Sequence, residues 1–214
     1  MDGLRERKSA RARTATLDAG FRLFAERGYD EVTVADICAA AEIGRRTFFH
    51  YFPGKEDLLE SPVRDMTEHL TAAVGQAPPA ATDGQALRAA MADLASHAMA
   101  HQSRLDVYRR IIAASATLRL PVFGTLSGHE LRLARQLQAR HSHGGPVDLD
   151  TRLLVARAVA AFRVWLDLTL DSTSAILDSA TAGSGGPAPE SEETMAAARR
   201  LFDRIFDADP LLAG

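Results

Sequence analysis

A single cysteine, Cys38, stands among the 214 residues, so no disulfide can form within the chain. Such a chain fits a reducing compartment and must hold itself together by burial. Cys38 falls on the apolar side of a helix-forming segment and reads as a small buried hydrophobe. Tryptophan occurs once and tyrosine three times. β-Branched residues are sparse, which disfavours strands. No apolar run approaches the ~20 residues that cross a bilayer, and the charged start lacks the apolar stretch of a secretion signal. Disulfide-stapled, secreted and membrane-spanning classes are excluded, and a soluble, cytoplasmic protein is expected. A large excess of one charge is missing too, since the net charge is −3.

What the chain does have is unevenly spread. Residues 1–55 hold ten Lys/Arg against eight Asp/Glu, a net of +2, and the remainder is net −5. A basic end on an acidic body suits a protein that meets a polyanion with one face. Alanine, leucine and arginine dominate, which favours helix. The pattern predicts an all-α fold of about nine helices, with no repeat and no strand-like alternation.

The first helix is expected from Thr14 to Arg27, with Leu17, Phe21 and Phe24 on one buried face and Gly28 as its stop. Before it lies a polar arm, residues 1–13, that is either frayed or follows DNA. Thr33 and Asp36 stand at N-cap and N3 of a short second helix ending near Ala40, an Asp version of the capping box. Residues 41–44 form a turn, with Gly44 expected to relieve the backbone. A third helix runs from Arg45 to Tyr51 and stops at Pro53-Gly54. The fourth, from Lys55 towards Val74, contains Pro62, which predicts a kink or break.

Further helices follow. One runs from a Thr82/Gln85 box to His101, and one from a Ser103/Asp106 box to Ser115. A helix over 121–141 is weakened by Gly124 and Gly128. A long apolar helix opens at Asp148 or Asp150 and closes near Asp178. Thr181–Pro189 reads as a linker, and a last helix spans Ser191–Asp207. Two domains are expected, a head, 1–54, and a larger helical body, 55–214.

The head carries the chemistry. A helix-turn-helix places its second helix in the major groove with the N-terminal residues nearest the bases. Here these are Arg45 and Arg46, whose side chains suit guanine O6 and N7. Thr47 and Tyr51 offer hydroxyls to phosphate, Phe49 suits a thymine methyl, and Lys55 adds a cation. Phe48 and Phe52 share a face and belong to the core. Phe49, His50 and Tyr51 cannot all lie on that face, and exposed aromatics beside arginines need a partner.

The segment ERGYDEVTVADICAAAEIGRRTFFHYFPGKEDLL resembles the DNA-binding head of the tetracycline-repressor (TetR) family across its length. The GRRTFF wording is especially similar to regulators of the mycofactocin type. The resemblance implies that Thr47, His50, Tyr51 and Lys55 hold phosphates, and that Arg45, Arg46 and Phe49 face bases. Thr33 joins this DNA-binding set, at the start of the second helix. Phe49 departs from a frequent tyrosine of the family and lacks its hydroxyl. The resemblance also implies a homodimer on palindromic double-stranded DNA and a small-molecule effector.

In the body, the helix after Thr151 is apolar on more than one face, and the last helix offers Met195, Leu201, Phe202, Ile205 and Phe206. Together they suit a two-fold interface. Met91, Leu94, Tyr108, Ile111, Ile112, Phe123, Leu126, Phe162 and Trp165 are candidates for lining a pocket, each also readable as plain core. A largely apolar ligand with a polar head suits them. His97 and His101, four apart, lack a third ligand, so no metal and no cofactor are expected. The competing reading is a helical small-molecule-binding protein or enzyme without specific DNA binding.

Overall fold

The computed structural model describes residues 2–141, 145–181, 194, 196–200 and 202–203, without the side chains of 2–6, 116, 117, 119–127 and 172–181. Eight helices follow one another: α1 (Asp2–Arg27), α2 (Val34–Ala40), α3 (Arg45–Tyr51), α4 (Lys55–Gln76), α5 (Asp83–Ala100), α6 (Gln102–Ala114), α7 (Ala116–Ala139) and α8 (Leu149–Thr181). Residues 196–200 and 202–203 are also helical. The fold is all-α, as the composition predicts. Most of the expected linker, and residues 191–193, 195, 201 and 204–207 of the expected last helix, lie outside the described residues.

Two expectations about helix continuity fail. Residues 2–13 are not a separate arm, because α1 is one helix from Asp2. Its first turns are rich in good helix formers, and they are tied down. The Ser9 and Tyr51 hydroxyls lie 3.2 Å apart. Arg13 bonds Asp65 (3.1 Å) and lies over the Phe52 ring, 5.4 Å from its centroid.

Pro62 does not interrupt α4. A proline at position 62 leaves the Leu58 carbonyl without its helical donor. The wholly buried Ser61 hydroxyl donates to that carbonyl instead, at 2.8 Å. A buried carbonyl that would cost stability is satisfied by the neighbouring side chain. The other differences are small. α6 starts one residue before Ser103, α7 starts at Ala116 rather than 121, and α8 runs on to Thr181. The Thr82/Gln85 box opens α5 as expected, and Asp148 caps α8 through Thr151 N–H at 2.8 Å.

The chain divides into two compact units, Met1–Asp65 with Ser103–Arg119, and Met66–Gln102 with Leu120–Gly214. The first does not stop at residue 54. Leu58 and Leu59 of α4 are buried in the head core beside Leu17, Phe21, Phe24, Val32, Ile37, Phe48 and Phe52. Val107, Tyr108, Ile111 and Ile112 of α6 pack against the same core. The second unit is built on α5 packed against α8. Its core includes Leu87, Met91, Leu94, Leu133, Leu137, Val155, Phe162, Trp165 and Phe202.

Candidate nucleic-acid interface

The head sets α3 between a buried anchor and open solvent. Phe48 is fully buried and its ring lies 5.7 Å from that of Phe52. These two residues, four apart, fix which face of α3 turns inward. Arg45, Arg46, Phe49 and His50 are consequently exposed, with Thr47 and Tyr51 half-buried at the edges. Phe49 is 49% exposed and is the one large apolar side chain of the head in that state among the described residues. Neither arginine makes an ion pair among the described residues, and α3 has no acidic residue. Positive charge, an aromatic edge and an imidazole thus share one outward face.

The supports of α3 are local. Gly28 ends α1 with φ +84, and its N–H bonds Phe24 O at 3.1 Å; the left-handed conformation favours glycine here. Thr33 caps α2. Its hydroxyl accepts from Asp36 N–H and donates to Asp36 Oδ2, and its own N–H donates to Asp36 Oδ2 at 2.9 Å. These bonds hold the Asp36 carboxyl below the usual carboxylate range, the Thr33 hydroxyl foremost, and Arg27 adds to them.

The turn between α2 and α3 differs from expectation. Glu42, not Gly44, adopts the left-handed conformation, with φ 54. Gly44 is the N-cap of α3 at φ −73, and a Cβ there would meet nothing within 4 Å. Ile43 is half-buried against the core, so the turn is set from inside.

Three expected DNA contacts are engaged inside the protein. Lys55 Nζ donates to Tyr29 O (3.1 Å) and Val32 O (3.2 Å) and sits 4.4 Å from the Tyr29 ring centroid. That ammonium clamps the α1–α2 loop to the start of α4. The Tyr29 phenol donates to Glu56 at 3.1 Å, and burial pushes its pKa up. The Thr33 hydroxyl works in its cap, and the Tyr51 hydroxyl meets Ser9. Sequence reasoning missed Ser9 and Arg13 as supports. No local pattern announces these contacts, because the partners of Ser9 and Arg13 are distant in sequence.

The candidate pocket residues separate into groups. Met91 and Leu94 on α5, and Phe162 and Trp165 on α8, are all buried in the second unit. Tyr108, Ile111 and Ile112 are half-buried against the head core. Burial, with Glu60 nearby, pushes the Tyr108 phenol up to about 12. The side chains of Phe123 and Leu126 lie outside the described residues.

His97 meets His101 edge to face at 4.8 Å and stacks on His69 at 4.3 Å, and His69 Nε2 lies 2.7 Å from Asp93. Among the described residues no group of three or more His, Cys, Asp or Glu is placed to hold a metal ion. No described helix is long and apolar enough to cross a membrane.

Residues 17–61 match the family of bacterial regulatory proteins named for tetR. The chain is 35% identical over 88 residues to the HTH-type transcriptional regulator TcmR of Streptomyces glaucescens, covering 41% of this chain and 39% of that one. It is 41% identical over 63 residues to the HTH-type transcriptional repressor KstR2 of Rhodococcus jostii, covering 29% and 30%. The matched part thus spans well under half the length of these relatives. A solved TetR-family regulator from Syntrophomonas wolfei superposes with a TM-score of 0.58 at 19% identity, over 96% of this chain and 99% of the other. The head sequence matches that family over residues 17–61, and the fold is similar to that of solved TetR-family regulators.

Proposed function

We propose that the protein is a transcriptional regulator that binds a palindromic operator as a homodimer and is released by a small, largely apolar effector. One observation carries the DNA-binding reading. α3 turns Arg45, Arg46, Phe49 and His50 outward on a face without acidic residues, locked from behind by Phe48. Such a helix suits major-groove readout, with the arginines on guanine edges and Phe49 on a thymine methyl. Thr47 and His50 reach phosphates. Lys55, Thr33 and Tyr51 chiefly shape the head, each through the contacts described above. In this reading the protein acts by binding, in the cytoplasm, without catalysis.

Dimerisation is supported by α8. Leu149, Leu153, Val164 and Leu168 are 54–67% exposed, and their spacing of four within each pair keeps them on related faces. Exposed large apolar side chains aligned along a helix call for a partner, and a second copy makes the contact self-complementary. Effector binding then alters head spacing through α4, provided the ligand prefers one state. The narrower kinship with mycofactocin-type regulators rests on the GRRTFF segment alone.

Selection of bound fragments from randomised duplex DNA tests this function. Enrichment of a two-fold site that Arg46→Ala fails to select is expected. Binding without sequence preference would leave a helical carrier or enzyme as the better account.

A further inference from the structure

Trp165 is the only tryptophan of the chain and is 4% exposed. Its Nε1–H is buried and meets no hydrogen-bond acceptor among the described residues. The described ring neighbours are aromatic and offer no acceptor. Phe162 lies 5.5 Å away, ring to ring, and Phe202 stacks on Phe162 at 6.5 Å with the planes 10° apart. Phe202 is wholly buried. The Thr169 hydroxyl, one turn along α8, is spent on the Trp165 backbone carbonyl at 2.8 Å.

A buried donor without a partner is costly, and Phe in its place would fill much the same space without that cost. Buried indole N–H groups ordinarily find an acceptor. An orphaned donor inside an aromatic cluster is what a ligand-free binding site presents.

We propose that the Trp165 N–H is the polar anchor of the effector site, and that the effector is a flat, largely apolar molecule with a carbonyl-type oxygen directed at it. This rests on the effector reading above and specifies its chemistry. The aromatic rings supply stacking surface, and the single N–H supplies orientation. An apolar site with a few placed polar groups is the common pattern for small-molecule recognition. A molecule of the same shape without the oxygen leaves the N–H unpaired and binds more weakly.

The test uses the full-length protein and a matched pair of probes, 2-acetylnaphthalene and 2-ethylnaphthalene, which differ in the carbonyl oxygen. With 15N-labelled tryptophan the chain gives one indole cross-peak. Its proton should move downfield on adding the ketone and not on adding the hydrocarbon. Calorimetry should show the ketone binding about three- to tenfold more tightly, the value of one hydrogen bond. Trp165→Phe, checked for an unchanged helical spectrum, should abolish that preference while still binding both probes.

Three results overturn the proposal: neither probe binds, both bind equally, or the indole proton is already hydrogen-bonded in the free protein. Operator binding is measured on the same samples without probe. Its loss would strike the regulator reading. Its persistence beside a failed probe test would strike only the Trp165 anchor.

Discussion

Lys55 and Arg46 are both cations of the head, yet they should answer mutation differently. Lys55→Met removes two hydrogen bonds to loop carbonyls and a cation–π contact. It should lower unfolding stability by about 2 kcal/mol, read as a fall in melting temperature. A normal melting curve with weakened DNA binding would return Lys55 to the phosphate backbone. Arg45→Ala and Arg46→Ala remove exposed side chains without ion-pair partners among the described residues. Their stability should stay within about 0.5 kcal/mol of the parent. Operator affinity should fall by ~1–3 kcal/mol, with relaxed base preference.

Asp36 gives the pH dependence at this scale. Its carboxyl is held below the usual value mainly by the Thr33 hydroxyl. Its contribution is therefore present above the unfolded-state pKa and is lost as pH falls through the depressed one. Stability measured on acidification below about pH 4 should decline less steeply in Asp36→Asn than in the parent. The residue types and the outward face of α3 were legible in sequence. The inward engagement of Lys55 and Tyr51 was not, because their partners, Val32 and Tyr29 for one and Ser9 for the other, are 23 or more positions away.

At the scale of elements, α4 shows how one side chain offsets a rule. Proline inside a helix predicts a break, and periodicity cannot reveal that Ser61 takes the freed carbonyl. Ser61→Ala should destabilise by ~1–3 kcal/mol, since Leu58 O is then buried without a donor. Ser61→Ala with Pro62→Ala restores a backbone N–H and should recover most of that loss in denaturant unfolding. Equal losses in the single and double variants would refute the substitution of one donor for another.

Two expected capping boxes were legible, whereas Ser103, expected to cap α6, lies inside that helix. Thr33/Asp36 and Thr82/Gln85 form as their spacing predicts, because a capping box is closed within four residues. The start of α1 was illegible for the opposite reason. Its first turns are held by Tyr51, Phe52 and Asp65, and these contacts have no local signature.

For the whole molecule, fold class followed from composition and helical periodicity, but the limits of the compact units did not. Tyr108, Ile111 and Ile112 of α6 read as pocket lining or plain core of the body, whereas with Val107 they pack against the head core. The α8 face makes a prediction here. Leu153→Glu with Leu168→Glu alters only exposed side chains, so helical content should persist. Sedimentation should shift the parent dimer to monomer, and two-site DNA binding should be lost with it. A parent that sediments as a monomer would remove the two-fold basis of the account.

The most direct measurement is binding-site selection from randomised duplex DNA with the full-length protein, followed by titration of the selected site across salt. The account predicts two inverted half-sites spaced by one helical turn or a multiple, an affinity falling steeply with salt, and loss of the selected guanines with Arg45→Ala or Arg46→Ala. A folded protein that enriches no sequence, or an enriched site indifferent to both arginines, would contradict it.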